Sequence, residues 1–185
     1  MKRQVCTALI LGVIAMPAFA DKYTIDPLFT VPTFEVGHLG FTTQSGRFNK
    51  VAGTITLDPA AKKGSVDLTI YTASIDMGSP AWSAHLMSEG LFNVDKFPTM
   101  TFRSRHLEFS GNKVIGADGE FTMLGVTKPL HVTVSGFLCK SHGKKTVCGA
   151  DVTAKLKRSD FGLTKYIPEV SDEISVRVPV EAVKD

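Results

Sequence analysis

Apolar and polar side chains alternate along most of the chain. Residues 130–136 place leucine, valine or glycine at every second position, and residues 173–180 do the same with isoleucine and valine. Successive side chains of a β-strand point to opposite faces, so this period of two predicts strands that bury one face. The period recurs at residues 34–36, 66–70 and 99–103, and turn signals rich in glycine separate the segments.

The spacing of these segments predicts an all-β fold. About eight or nine strand candidates follow one another, as they do in antiparallel sandwiches and barrels. A sheet of that many strands must curl, split or close, and closure removes the exposed edges that favour aggregation. We therefore predict a small antiparallel β-barrel.

One segment, residues 79–90, breaks the period of two. Pro80 near its start and Gly90 at its end bracket a short helix. An aromatic connection that includes Phe92 and Phe97 follows it. Two interpretations stay open: the segment plugs one end of the barrel, or it forms part of a lid over a pocket, because pockets often lie in the mouths of β-barrels.

The N-terminus has the three parts of a secretory signal peptide. Lys2 and Arg3 form a charged start, residues 5–15 are almost wholly apolar, and Ala18 and Ala20 fit the small-residue rule for cleavage. The apolar run is too short to cross a bilayer of about 30 Å as a helix. We expect residues 1–20 to be removed, which leaves residues 21–185 as one domain exported to the periplasm.

The charge balance argues against a nucleic-acid partner. Removal of the leader lowers the formal net charge from +3 to +1, since Lys2 and Arg3 are its only charged residues. Proteins that bind nucleic acid concentrate basic residues on one face to neutralise phosphates. Here the basic residues are scattered.

Two cysteines remain after export, and they predict a disulfide. Cys139 and Cys148 flank a polar stretch, residues 140–147, whose glycine favours a hairpin turn that brings both strands together. An oxidising compartment favours the bond. The bond stabilises the fold by about 2–3 kcal/mol because it constrains the unfolded chain.

The sequence lacks the common catalytic and metal-binding motifs. It has no Gly-x-Ser-x-Gly, phosphate-loop or His-Glu-x-x-His pattern, and its five histidines lack the spacing that places two ligands on one metal. We expect no metal and no enzyme activity. His38 shares the parity of Phe34 and Val36 and is either a hydrogen-bonded core residue or a contact for a polar head group. An enzyme that acts on an apolar molecule, with His38 and His85 as acid and base, stays an alternative.

Phenylalanine is the commonest aromatic residue. Of the twelve phenylalanines, only Phe19 lies in the predicted leader. An ordinary packed core can use these side chains, so composition does not distinguish a filled barrel from a hollow one. A solid-core interaction protein, related to stress, is therefore a third possibility.

Six short motifs, in order along the chain, resemble the YceI-like periplasmic family. They are YTIDP at 23–27, FEVGH at 34–38 with GRF at 46–48, HL at 85–86 leading to FNVDKFP at 92–98, TFRS at 101–104, GVTKP at 125–129 and RSDFG at 158–162. The resemblance runs from Tyr23 to about Ala182. It implies a lipocalin-like barrel of eight antiparallel strands, usually dimeric, whose internal channel holds a polyisoprenoid or a similar amphiphilic lipid such as a quinone.

This resemblance implies binding, transport or storage of a lipid rather than catalysis, with the bound lipid as the expected ligand and with transient membrane contact. A tail without hydrogen-bonding groups requires an apolar channel, in which each CH₂ contributes about 0.8 kcal/mol. Strand parity then predicts the residues of the site. The predicted channel residues are Phe34, Val36, Phe48, Ile55, Leu68, Ile70, Phe102 and Phe121, with Trp82, Leu86 and Phe92 at the helical segment and His38 as a polar contact.

Overall fold

The computed structural model describes residues 20–185, which form eleven β-strands, one α-helix and two 3₁₀ turns. The predicted leader lies outside the described residues except for Ala20. The strands are β1 (Asp21–Ile25), β2 (Thr33–His38), β3 (Thr42–Phe48), β4 (Val51–Asp58), β5 (Lys63–Tyr71), β6 (Ile75–Asp76), β7 (Thr99–Ser110), β8 (Lys113–Met123), β9 (Val126–His142), β10 (Lys145–Lys157) and β11 (Val170–Lys184). The helix α1 is Pro80–Met87, and the 3₁₀ turns are Thr72–Ser74 and Arg158–Phe161.

Eight strands close into an antiparallel barrel, as the sequence predicts. Their order around the barrel is β1, β4, β5, β7, β8, β9, β10 and β11, and β11 pairs back onto β1 with Ile25 opposite Ala182. The first half of β11 pairs instead with β2, from which β3 and β6 continue the sheet. The strand β11 therefore belongs both to the closed barrel and to a three-stranded extension.

The alternation seen in the sequence sets which side chains enter the barrel. In β11 the residues of even number from Ile174 to Ala182 face the interior, and in β5 so do Val66, Leu68 and Ile70. The residues between them point outward and form surface ion pairs, such as that of Arg177 Nη2 with Asp151 Oδ1 at 3.0 Å. The core is therefore the inner surface of the barrel.

The two ends of the barrel differ. The turn end carries the three short connections at 59–62, 111–112 and 143–144. The opposite end, which we name the plug end, carries α1, the connection 88–98 and the loop between β10 and β11. Four buried residues of these segments close it, namely Leu91, Phe92, Phe161 and Leu163. The Phe92 ring meets Phe48 of β3 edge-on, with 5.7 Å between the ring centroids. The Phe161 ring meets Phe121 of β8 in the same way, at 5.5 Å.

Arg158 anchors the loop that supplies half of this plug. Its side chain is 3% exposed and donates hydrogen bonds to the backbone oxygens of Leu163, Lys165, Val170 and Ser171 at 2.7–2.9 Å. Burial lowers the pKa of the guanidinium, which nevertheless stays protonated at neutral pH. One side chain thus connects both ends of the loop.

The hairpin formed by β9 and β10 contains the predicted disulfide. Cys139 lies directly opposite Cys148 in the ladder, with 4.0 Å between their Cα atoms, and the two sulfur atoms are bonded. Cys148 is buried and Cys139 is exposed. Among the helices of residues 20–185, none has the length and apolar character needed to cross a membrane.

Candidate functional site

The barrel encloses an apolar cavity of about 190 Å³. Every barrel strand contributes to its wall, together with Phe34 of β2, Phe48 of β3 and Phe92. For comparison, an engineered apolar cavity of about 150 Å³ in another protein stays dry and admits benzene. The interior is therefore a packed shell around free space, with room for an apolar guest.

The cavity runs along most of the barrel. In β10 its wall extends from Cys148 to Leu156, and in β11 from Ile174 to Ala182. Eight residues of extended strand span about 26 Å. Barrel strands tilt by about 40°, so this distance is about 20 Å along the barrel axis. The space is long and narrow, a shape that suits a chain better than a compact ring system.

Eight of the twelve predicted ligand-binding residues lie in this wall. They are Phe34, Phe48, Ile55, Leu68, Ile70, Phe92, Phe102 and Phe121. The structure brings them together from β2, β3, β4, β5, β7, β8 and the connection that follows α1. The other four predicted residues, Val36, His38, Trp82 and Leu86, lie outside the cavity wall.

Val36 and His38 were assigned to the channel by parity, and the structure places them beyond it. Both are half-buried, opposite Gln44 and Thr42 of β3. The pairing of β2 with β11 is irregular between Val36 and His38, whose partners are Ile174 and Val170. Parity gives the face of a strand but not its position along the barrel, and β2 passes the end of the cavity after Phe34.

The helix also differs from the prediction. Trp82 is 45% exposed, and α1 has no buried residue. Leu86 packs partly against the core without reaching the cavity, and His85 contacts Tyr166, with Nε2 and the hydroxyl oxygen 3.4 Å apart. The connection after the helix inserts Phe92 into the end of the barrel. The segment therefore plugs the barrel through the residues that follow the helix.

Several wall residues were not predicted, although the same period marks them. They include Met100 and Met123 near the plug end and the inward residues of β9, β10 and β11. Small side chains at inward positions are the more informative part of this set, because they leave the space that larger residues would fill. These small residues are Ala117, Ala150, Ala154 and Ala182.

The cavity offers almost no polar group to a guest. Among the residues of the cavity wall, Tyr23, Thr33 and Thr153 are the ones that carry a side-chain oxygen. Burial raises the pKa of Tyr23, so its hydroxyl stays neutral at neutral pH, and Thr33 Oγ1 donates to the backbone oxygen of Arg177 at 3.0 Å. Within residues 20–185, no buried side-chain nitrogen or oxygen lacks a hydrogen-bond partner. The wall can surround an apolar chain, but it presents no acid–base pair.

The fold does bring three possible metal ligands together on the outer surface. His131 Nδ1 lies 2.9 Å from Asp118 Oδ1 and 3.8 Å from Glu108 Oε1. All three side chains are between 37% and 59% exposed. Asp118 and His131 are direct cross-strand partners, so ordinary pairing between neighbouring strands accounts for the group. We assign no ion to it.

A family model for the YceI-like domain matches residues 23–182, which is nearly the whole barrel. The chain belongs to the YceI-like family. Relatives of this family match along their full length: a UPF0312 protein of Shewanella sp. (strain W3-18-1) is 31% identical over 194 residues, and one of Ectopseudomonas mendocina (strain ymp) is 30% identical over 193 residues. Each alignment covers 100% of both chains.

Solved structures of other proteins share the barrel fold. The YceI protein of Campylobacter jejuni is 29% identical, with a TM-score of 0.70 over 80% of this chain and 90% of that chain. A polyisoprenoid-binding domain from Saccharophagus degradans has a TM-score of 0.64 over 88% of this chain and 98% of that one. Since its identity is 14%, this second match shows the fold alone.

Proposed function

We propose that the protein binds a long-chain polyisoprenoid, or a similar amphiphilic lipid such as a quinone, inside the barrel and carries or stores it in the periplasm. The observation that carries the proposal is the long apolar cavity, whose wall spans all eight barrel strands. The barrel of similar fold that is described as a polyisoprenoid-binding domain in Saccharophagus degradans supports the same ligand class.

The wall also defines what kind of lipid fits. Each CH₂ group transferred from water into the cavity contributes about 0.8 kcal/mol. A polar head group would lose its hydrogen bonds to water inside, because the buried polar side chains already have partners. The apolar chain therefore occupies the barrel, and the head group stays at one of its ends. Recognition by shape and length is expected to be strong but chemically tolerant.

A binding function is favoured over the two alternatives. The enzyme hypothesis rested on His38 and His85, and neither lines the cavity. The solid-core hypothesis requires an interior at ordinary packing density, whereas this barrel retains a cavity of about 190 Å³. Loading from a membrane and a homodimer, both implied by the family resemblance, belong to the proposal as expectations.

The direct test is to recover the lipid. Native mass spectrometry of the protein purified from its own periplasm should show an added mass, which organic extraction releases chemically unchanged. N-terminal sequencing of the same sample should begin at Asp21, the residue after the predicted cleavage site. Protein that is consistently free of lipid, even after incubation with membrane extracts, would refute the binding function.

A matched pair of variants tests whether the lipid lies in the cavity. The double substitution Ala150→Phe and Ala154→Phe places two rings in the free space, and binding should be lost. Ser175→Phe adds a ring at an odd-numbered, outward position of β11 and should bind normally. Circular dichroism checks that both variants fold. Equal binding by both would place the lipid elsewhere.

A further inference from the structure

The strand β9 changes partner half-way along its length. Residues 126–133 pair with β8, and residues 133–142 pair with β10. In the described part of the chain, Thr133 is the one β9 residue with a register partner on both sides, Gly116 and Thr153. The barrel wall therefore has two interruptions of its hydrogen-bond ladder, one on each side of β9 and at opposite ends of the barrel.

The interruption at the plug end is filled. It lies between the first half of β9 and residues 154–157 of β10, which pair with β11. The 3₁₀ turn Arg158–Phe161 packs against β9, β10 and β11 at this point. Phe161 is 3% exposed and meets Phe121 edge-on, so no route leads through this side.

Two β-bulges flank the interruption of the ladder at the turn end. In β8, Glu108 faces Gly116 and Phe109 faces Val114, so Ile115 is an extra residue. In β9, Leu138 faces Gly149 and Ser135 faces Asp151, so two residues, Gly136 and Phe137, oppose Ala150 alone.

Bulges bend the strand that carries them and increase its twist. Gly136 has a φ of +68°, a conformation that glycine adopts without strain. Both bulges lie next to Gly116 and Thr133, where the ladder between β8 and β9 ends. The tips of the two hairpins, β7–β8 and β9–β10, are therefore not joined by the ladder, and we name the gap in pairing between residues 114–115 and 134–138 the notch.

The notch is apolar from its outer edge to the cavity. Ile115 and Leu138 are 44% and 51% exposed at the surface. Val114, Val134 and Phe137 belong to the cavity wall, and Phe137 is half-buried. Isolated exposed apolar residues are common, but here they continue into an internal cavity.

We propose that the notch is a lateral portal through which the apolar chain enters and leaves the barrel, with Phe137 as its gate. The proposal rests on the lipid-binding function. A chain that slides through the notch keeps apolar contacts along the whole route. Exit through the plug end would instead displace the four buried residues Leu91, Phe92, Phe161 and Leu163.

The disulfide holds together the two strands of the hairpin that forms one edge of the notch. Cys139 follows Leu138 directly, and its bond to Cys148 holds β9 to β10 at the edge of the notch. This edge therefore keeps its backbone pairing, and Phe137 stays attached to a fixed strand. Rotation of the Phe137 ring is the smallest movement that widens the passage.

The test measures release of all-trans-retinol, a fluorescent isoprenoid, into an excess of phosphatidylcholine vesicles by stopped flow. Phe137→Ala should release retinol about tenfold faster than the wild type at unchanged stoichiometry, because changes at a binding interface act mainly on dissociation rates. Phe137→Trp should slow release by a similar factor. Leu163→Ala, which loosens the plug without touching the cavity wall, is the control and should release retinol at the wild-type rate.

The outcomes separate the portal from the function. Retinol binding with release rates that do not respond to either Phe137 variant would refute the portal while leaving lipid binding intact. Acceleration by Leu163→Ala that matches that of Phe137→Ala would place the exit at the plug end. Failure of the wild type to bind retinol or membrane lipid would refute the binding function and the portal with it. The opposite signs expected for Phe137→Ala and Phe137→Trp keep the test valid if one variant folds poorly.

Discussion

Replacement of Arg158 by methionine is expected to open the plug end of the barrel. Methionine keeps an apolar stem at the buried position but removes all the guanidinium donors. Four backbone oxygens of the loop then lose their partner, at donor–acceptor distances that are now 2.7–2.9 Å. The loop would lose the side chain that ties its beginning to its end.

The size of the effect follows from where these oxygens lie. A buried carbonyl group without a donor costs about 1–3 kcal/mol. The hydrogen bond to the Leu163 oxygen is buried, and those to the Lys165, Val170 and Ser171 oxygens are part-buried, so water replaces part of the lost donors. Removal of a buried charge recovers some desolvation energy, so we expect a net loss of about 3 kcal/mol in the free energy of unfolding.

Urea unfolding followed by circular dichroism measures this loss, and hydrogen exchange locates it. The amide of Leu163, which donates to the Arg158 oxygen at 3.0 Å, should lose its protection while β5 and β7 keep theirs. Arg177→Met is the matched control. Its ion pair with Asp151 is largely exposed, so it should cost less than about 1 kcal/mol. An Arg158→Met protein within 1 kcal/mol of the wild type, with Leu163 still protected, would refute the assigned role.

Three further predictions concern other parts of the fold. The pKa of Asp76 is lowered to about 2, mainly because its carboxylate accepts a hydrogen bond from the Gly78 amide. The stabilisation from ionised Asp76 is therefore complete above about pH 4 and is lost as the pH falls through about 2. The stability difference between wild type and Asp76→Asn in urea should therefore shrink over that pH range. Ser104→Ala, which removes hydrogen bonds from a hydroxyl 1% exposed, should cost about 1–2 kcal/mol in the same assay. Reduction of Cys139–Cys148 should lower stability by about 2–3 kcal/mol, measured by thermal unfolding with and without reductant, and an unchanged midpoint would contradict it.

The barrel was predictable because its strands are amphipathic. Leu68, Phe102 and Phe121 face inward as their neighbours in sequence indicate. Most turn signals fall between strands, but Ser45-Gly46 lies within β3 and Lys63-Gly64 begins β5. The helix likewise begins at Pro80. These features depend on residues within a few positions of each other, so a local pattern contains them.

The predicted residues that lie away from the cavity have a different explanation. Val36 and His38 have the correct parity for the channel, but they lie where β2 extends beyond it, next to β3. Trp82 is predicted at the site as part of the helical segment, but it is 45% exposed, and Phe92 fills the end of the barrel instead. The position of a residue along the barrel axis depends on strand register and closure, which no local pattern contains.

The function of the barrel depends on what its inward residues lack. A sequence reader notices large apolar residues such as Phe102, which every packed core also contains. The free space arises where inward positions carry alanine or glycine, as at Ala150 and Ala154 of β10 opposite the valines of β11. The same strand pair lies beside the bulge at Gly136 and Phe137, which interrupts the wall at the turn end. The cavity and its proposed portal thus come from small residues and two inserted residues, which weaken packing locally in a barrel that closure keeps intact.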